Sequence, residues 1–269
     1  GEHHEASNTQ QNCQLRDLSN HTVAKVGYVH RTLLKTHLKE SSCLFFECNR
    51  NDTYCDNELP TNYDGPKPPC CNHILRDMSR IFDEMMCNLG LEYSAAFGTL
   101  LGLRRSDHLI PWTIDNDYII PSKDVANAMV SLWDTKKTGM AHIFQGMNRM
   151  CLTPYFAGGA LQRKWERPAP GPDKKDWDTL YASGLPYMDL YVGRMDPSGL
   201  FASIDHCRHL YKDMFPTKRE LVYNNTFTQN FPANSDQVLR TFYGRDWRIP
   251  QIDKNPHGGK VCPYGPTYQ

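Results

Sequence analysis

The stretch GTLLGLRRSDHLIPWTIDNDYII, residues 98–120, decides the reading of the fold. It closes on Asp115-Asn116-Asp117, which opens an apolar strand expected over Asp115–Pro121. Side chains alternate along a strand, so both carboxylates point to one face, roughly 7 Å apart at their Cα atoms. Two hard oxygen donors at that spacing suit one Mg²⁺ or Mn²⁺, with substrate phosphates completing its shell. Asp-x-Asp is common in surface turns. Here Tyr118-Ile119-Ile120 follows, which sets the pair at the mouth of a buried strand.

The same stretch opens on Gly98-Thr99-Leu100-Leu101-Gly102. A strand expected over Leu91–Ala96 runs into it, and a short helix, Leu100–Arg104, runs out. Glycine at such a junction lets an anion approach the backbone, and a helix N-terminus offers unpaired N–H groups. Gly98 and Thr99 are therefore candidate phosphate contacts, and Arg104 and Arg105 follow as cations able to neutralise a phosphate. Taken alone, the Gly-x-x-x-Gly spacing fits plain helix packing equally well. A third carboxylate, Asp189, stands alone inside the apolar run Tyr187–Val192. Burial of a lone carboxylate is costly unless a metal, an arginine or a raised pKa compensates. The alternative is an exposed edge position.

Outward from this centre, Asn72–Leu89 reads as an amphipathic helix. Ile74, Met78, Ile81, Met85 and Leu89 recur at steps of three and four, with Asn72 suited to the N-cap and Gly90 to the C′ position. Ser122 should cap a helix reaching Trp133. Strands are expected near Ala141–Phe144, Arg149–Thr153 and Tyr187–Val192. A late helix, Ser235–Tyr243, ends at Gly244, and a tail follows from Pro250. Lys164–Ser183 reads as a long loop, rich in proline, glycine and charge. At the other end, residues 1–42 form a polar stem with one helical stretch, Val23–Leu38. Residues 43–71 carry Cys43, Cys48, Cys55, Cys70 and Cys71 among polar residues. So little apolar content requires a metal or a disulfide as a staple.

Lys+Arg and Asp+Glu both number 30 in the 269 residues, so a broad attraction to nucleic acid or to an anionic membrane is excluded. No apolar run approaches the roughly 18 residues of a membrane helix. Three sequons begin at Asn20, Asn51 and Asn224, and there are ten cysteines. Together they point to glycosylation in an oxidising compartment. The expected setting is the lumen of the secretory pathway, behind a trimmed N-terminal anchor, or outside the cell.

The run from Gly98 to Asp117 resembles the LicD / fukutin-related protein family. Gly98, Thr99, Leu100, Leu101, Gly102, Arg105, Ile110, Pro111, Trp112, Asp115 and Asp117 fit its pattern. Asp189, Phe215-Pro216 with Lys218-Arg219, and then Pro232, Leu239 and Tyr243-Gly244 follow in the family's order. The likeness covers about residues 70–250 and makes 72–269 the expected catalytic domain. It implies a nucleotidyltransferase-like α/β (α+β) fold, a mixed sheet flanked by helices. It also implies transfer of a phospho-substituent (phosphoribitol, phosphoglycerol or phosphocholine) from a CDP-linked donor to a glycan hydroxyl, with release of CMP. Asp115 and Asp117 would hold the metal, with Asp189 as third ligand or as base. Gly98, Thr99, Arg104 and Arg105 would face the phosphates, with Lys218 or Arg219 on donor or acceptor. Golgi residence is part of the same implication. So is a structural Zn²⁺ held by Cys48, Cys55, Cys70 and Cys71, for which disulfides are the alternative.

One position departs from the pattern. Thr113 stands where the family carries the first of three alternating acids. That leaves two rivals: a glycosyltransferase using another nucleotide-linked donor on the same fold, and a catalytically silent glycan-binding member. The sequence leaves open whether the chain forms a homo-oligomer.

Overall fold

The computed structural model describes residues 53–57, 70–111, 113–144, 147–153, 156, 186–204 and 207–249. The stem at 1–42, Cys48, Trp112, the loop at 164–183 and the tail from 250 lie outside the described residues.

The first long helix, α2 (Asn72–Asn88), follows a single short turn, α1 (Thr53–Asn57). Its apolar stripe is buried as the periodicity requires: Ile74, Leu75, Met78, Phe82, Met85 and Met86 lie in the core. Its start differs from expectation. Cys71 is the N-cap and offers no side-chain cap, while Asn72 turns inward and donates to the Leu109 carbonyl at 3.3 Å. Its end is a Schellman turn. Gly90, at φ +65°, donates to the Cys87 carbonyl, and Leu91 donates to that of Met86.

A five-stranded mixed sheet in the order β1-β2-β5-β4-β3 stands against α2. Its members are β1 (Ser94–Ala95), β2 (Asp115–Ile120), β3 (Met140–Phe144), β4 (Asn148–Leu152) and β5 (Tyr187–Val192). Four of these fall where the sequence places strands. β1 is shorter than expected at both ends, and after the extended N-cap Ala96 the chain turns at Phe97, φ 38°, into α3 (Phe97–Ser106). β2 and β5 run parallel at the centre, and the other pairings are antiparallel.

The alternation of β2 sorts its side chains onto two faces. Asn116 and Tyr118 face α2, where they bond Leu75, Ser79 and Gln229. The rings of Tyr93, Tyr118 and Trp133 surround Phe82 on this side. Asp115 and Asp117 face the other way, towards α3. Gly102 in α3 is a packing glycine: a Cβ there would meet the backbone of His108 at 2.6 Å and of Ile110 at 2.7 Å.

After β2, Ser122 caps α4 (Lys123–Leu132) by accepting from the Val125 N–H, as expected. A short turn, α5 (Thr135–Thr138), leads into the β3–β4 hairpin. Three antiparallel strands, β6 (Arg194–Met195), β7 (Phe201–Ile204) and β8 (Cys207–Leu210), then form a second sheet. The turn α6 (Tyr211–Met214), the hairpin β9–β10 (Lys218–Val222, Phe227–Phe231) and α7 (Ser235–Tyr243) complete the described chain. α7 packs on α3 and ends at Gly244.

The fold is thus mixed α/β with mixed sheets, as expected at that level. The cysteine-rich segment is stapled by a disulfide between Cys55 and Cys70. Cys71 is also disulfide-bonded. Disulfides at Cys55, Cys70 and Cys71 are the alternative that the sequence left open to a zinc held by Cys48, Cys55, Cys70 and Cys71. Among the described residues every cysteine is paired.

Candidate metal and phosphate site

Asp117 is stitched to the start of α3 through three contacts. Its carbonyl accepts from the Ala96 N–H, its N–H donates to Thr99 Oγ1 at 2.8 Å, and its Oδ2 accepts from the Gly98 N–H at 3.2 Å. Ala96, the N-cap, has no side-chain oxygen to offer the free N–H groups of the first turn. The carboxylate of Asp117 supplies that cap from a neighbouring strand, where the helix dipole favours negative charge. Thr99 therefore serves the strand backbone and is buried. Phe97 packs on Phe242 and on Tyr191, whose hydroxyl donates to Asp117.

Parallel pairing brings the distant acid into place. In the register of β2 and β5, Asp117 lies opposite Asp189 and Asp115 opposite Tyr187. One carboxylate oxygen from each of Asp115, Asp117 and Asp189 lies within 4.8 Å of the others. Asp117 and Asp189 are buried, at 9% and 6% exposure, and Asp115 is half-buried. The triad named from the sequence is therefore assembled in space, and the exposed-edge alternative for Asp189 falls.

Each carboxylate has a protein donor. Arg149 on β4 lies across from Asp189 in the antiparallel register and donates Nε–H to its Oδ1 at 2.6 Å. The guanidinium stacks over Tyr187, 4.8 Å from the ring centre. Thr113 Oγ1 donates to Asp115 Oδ1 at 2.8 Å. The residue that departs from the family pattern thus holds one member of the triad.

Crowding three acids shifts their titration. Burial, then the charges of Asp115 and Asp189, push the Asp117 carboxyl well above its ordinary value, against the Gly98 and Tyr191 hydrogen bonds. Burial pushes Asp189 up to about 6, opposed by Arg149. Burial and then the carboxylates also raise the phenols of Tyr187 and Tyr243. At Tyr243, the charge of Arg105 acts in the opposite direction. Hard oxygen donors, partial desolvation and a surplus of negative charge fit a divalent cation well.

Two expected phosphate contacts serve the architecture instead. Arg104 makes a bidentate pair with Glu220, both bonds at 2.8 Å, adds Ser235 at 2.9 Å and lies over the Phe231 ring. Arg219 pairs with Asp83 in the same two-pronged way and bonds Asn230 and Thr228. Lys218 is exposed on the β9–β10 hairpin, and no described contact joins it to the carboxylates. Arg105 remains. Of the sequons, Asn224 is exposed in a tight turn of three positive-φ residues, whereas Asn20 and Asn51 lie outside the described residues.

Sequence reasoning missed Arg149, Tyr191 and the task of Thr113. The requirement for an arginine, a metal or a raised pKa at Asp189 was visible; which arginine answers it depends on hairpin register.

No family model matches the chain. Over 89 residues, 31% of the chain, it is 33% identical to ribitol 5-phosphate transferase FKRP of Homo sapiens. It is 32% identical over the same length to ribitol 5-phosphate transferase FKRP of Mus musculus. The match spans 18% of the length of each relative. What the chain shares with the fukutin-related proteins is therefore a partial likeness, confined to under a third of its residues.

Proposed function

We propose that this protein is a divalent-metal-dependent transferase. It moves a phospho-substituent of the phosphoribitol, phosphoglycerol or phosphocholine type from a CDP-activated donor to a glycan hydroxyl and releases CMP. The observation that carries this reading is the meeting of Asp115, Asp117 and Asp189 beside the first turn of α3. The partial likeness to a ribitol 5-phosphate transferase supports this class of transferred group.

The three carboxylates would hold Mg²⁺ or Mn²⁺, which when bound neutralises charge on the diphosphate and on the departing nucleotide. Arg105 and the first turn of α3 would orient the donor phosphates. Tyr243, whose hydroxyl feels the charges of Asp117, Asp115 and Arg105, would bound the donor pocket. We place the protein in the lumen of the secretory pathway, in the Golgi or beyond. The paired state of the described cysteines and the exposed sequon at Asn224 support that setting. Among the described residues no helix is long and apolar enough to cross a membrane.

The test is incubation with a panel of CDP-, UDP- and GDP-linked donors plus Mn²⁺, reading which nucleotide is released. CMP is expected, and Asp117→Asn should abolish its release. UDP or GDP would point to the glycosyltransferase reading. Release unaffected by Asp117→Asn would overturn the site.

A further inference from the structure

A cleft of about 230 Å³ lies between the β8–α6 segment and α7, and none of its lining residues belongs to the carboxylate triad. Helical spacing builds one wall. Asn234, Gln237 and Thr241 fall at steps of three and four, so they share one face of α7. Tyr243, whose phenol feels the charges of Asp117 and Asp115, comes two residues after Thr241, about 200° round the helix. The cleft is therefore on the opposite flank of α7 from that phenol. β8 and α6 supply the facing wall with His209, Lys212 and Asp213.

Two groups in these walls lack the partners that burial demands. His209 is 3% exposed, and its Nε2 has no hydrogen-bond partner among the described residues. Asp213 is buried as well. Among the described residues, the one side chain that donates to its carboxylate is Asn234, at 3.3 Å. Buried polar groups are nearly always satisfied, so orphans in a cleft wall mark a partner that the fold itself does not supply.

Charge narrows the chemistry of that partner. Arg208, at the rim, is paired with Asp196. Lys212 and Asp213 offset each other. Burial lowers the His209 pKa to about 4, so its ring is neutral at physiological pH. A cation would meet Lys212, and an anion would meet the buried Asp213 carboxylate. A neutral ligand is left, with groups that both donate and accept. The walls offer both roles: Lys212 donates, Asp213 accepts, and the Gln237 amide does either. Hydroxyl groups have that double character. The volume falls below the roughly 300–1,000 Å³ of drug-sized pockets and suits one sugar ring. We infer that the cleft between β8–α6 and α7 is a second binding site, for a single uncharged saccharide unit. This goes beyond the transfer reaction proposed above, and neither depends on the other.

The test is saturation-transfer-difference NMR on the purified chain, without nucleotide donor or metal. The probes are methyl glycosides of glucose, galactose, mannose, xylose and the N-acetylhexosamines. At least one should receive saturation from the wild-type protein, and titration then gives its Kd. Gln237→Ala, at a half-buried position, should weaken binding by about 3- to 10-fold, and Asp213→Asn by about tenfold or more. Gln237→Trp, which fills the cleft, should abolish it. Asp117→Asn should leave it unchanged. Melting temperatures matching wild type show that each variant is folded, and the Gln237 variants decide the matter if Asp213→Asn is not. Saturation of no glycoside, binding that survives Gln237→Trp, or displacement of the glycoside by inorganic phosphate would overturn the proposal. None of these outcomes bears on CMP release, and a failure of CMP release would leave saccharide binding standing.

Discussion

Arg149 and Asp189 face each other across the antiparallel pair β4–β5, with Nε and Oδ1 2.6 Å apart and both side chains nearly buried. Removing one partner strands the other. Arg149→Met should destabilise the metal-free protein near neutral pH by about 3–5 kcal/mol. The loss should shrink near pH 5, where Asp189 takes up a proton and no longer needs a counter-charge. Urea melts at the two pH values measure both numbers, and equal losses would contradict the assignment.

The triad also sets how stability follows pH. Asp117 and Asp189 have folded-state values raised above those of an unfolded chain. Between the ordinary carboxylate range and about 6, the folded state therefore binds more protons than the unfolded one, most clearly at Asp189. By linkage, this contribution makes the metal-free protein less stable as pH rises through that window. A divalent ion held as proposed would bind the deprotonated triad, so Mn²⁺ should raise the melting temperature more at neutral pH than at pH 5. Calorimetric scans with and without Mn²⁺ decide it. An ion effect that does not grow with pH would argue against the carboxylates as ligands.

Arg104 and Arg105 are neighbours in sequence with opposite expected phenotypes. Arg104 is committed to Glu220, Ser235 and Phe231, so Arg104→Ala should cost about 2–4 kcal/mol of stability. Arg105 acts electrostatically on Tyr243, which the charges of Asp117 and Asp115 also reach. Arg105→Ala should leave the melting temperature within a few degrees and raise KM for the donor by about tenfold. Paired melting and steady-state kinetics would separate them. The reverse pattern would exchange the roles.

The Cys55–Cys70 bridge closes a loop with a sequence separation of 15. Replacing both by serine should cost about 3 kcal/mol. It should also loosen α1, whose Tyr54 donates to the Leu109 carbonyl at 2.8 Å and stacks on His108. Chemical denaturation of the double variant, with peptide mapping under non-reducing conditions, checks both the cost and the pairing.

Much of this was legible beforehand because it depends on local periodicity. The stripe of α2, the caps Ser122 and Gly90, and the strands Asp115–Ile120 and Tyr187–Val192 follow from spacing alone. Asp189 stood out as an acid in apolar company. What could not be read was pairing over distance. Arg104 meets Glu220 from 116 residues away, and Arg219 meets Asp83 from 136 away, so both looked free. Arg149 joins Asp189 only through the register of a hairpin. The strands β6 to β8 are two to four residues long, too short for alternation to show.

Asp117 and Asp189 share one rung of a parallel ladder, yet β3, β4 and a long connection lie between them in the chain. Emerging from the ribosome, the polypeptide presents Asp115 and Asp117 early and acquires the third carboxylate only after that whole insert has been made. Non-local pairing of this kind closes late, because loop entropy must be met before the contact forms. On the metal-dependent reading proposed above, capture of a divalent ion would double as a maturation check: a chain that has docked β5 would retain the metal, and one that stalls before that step would not.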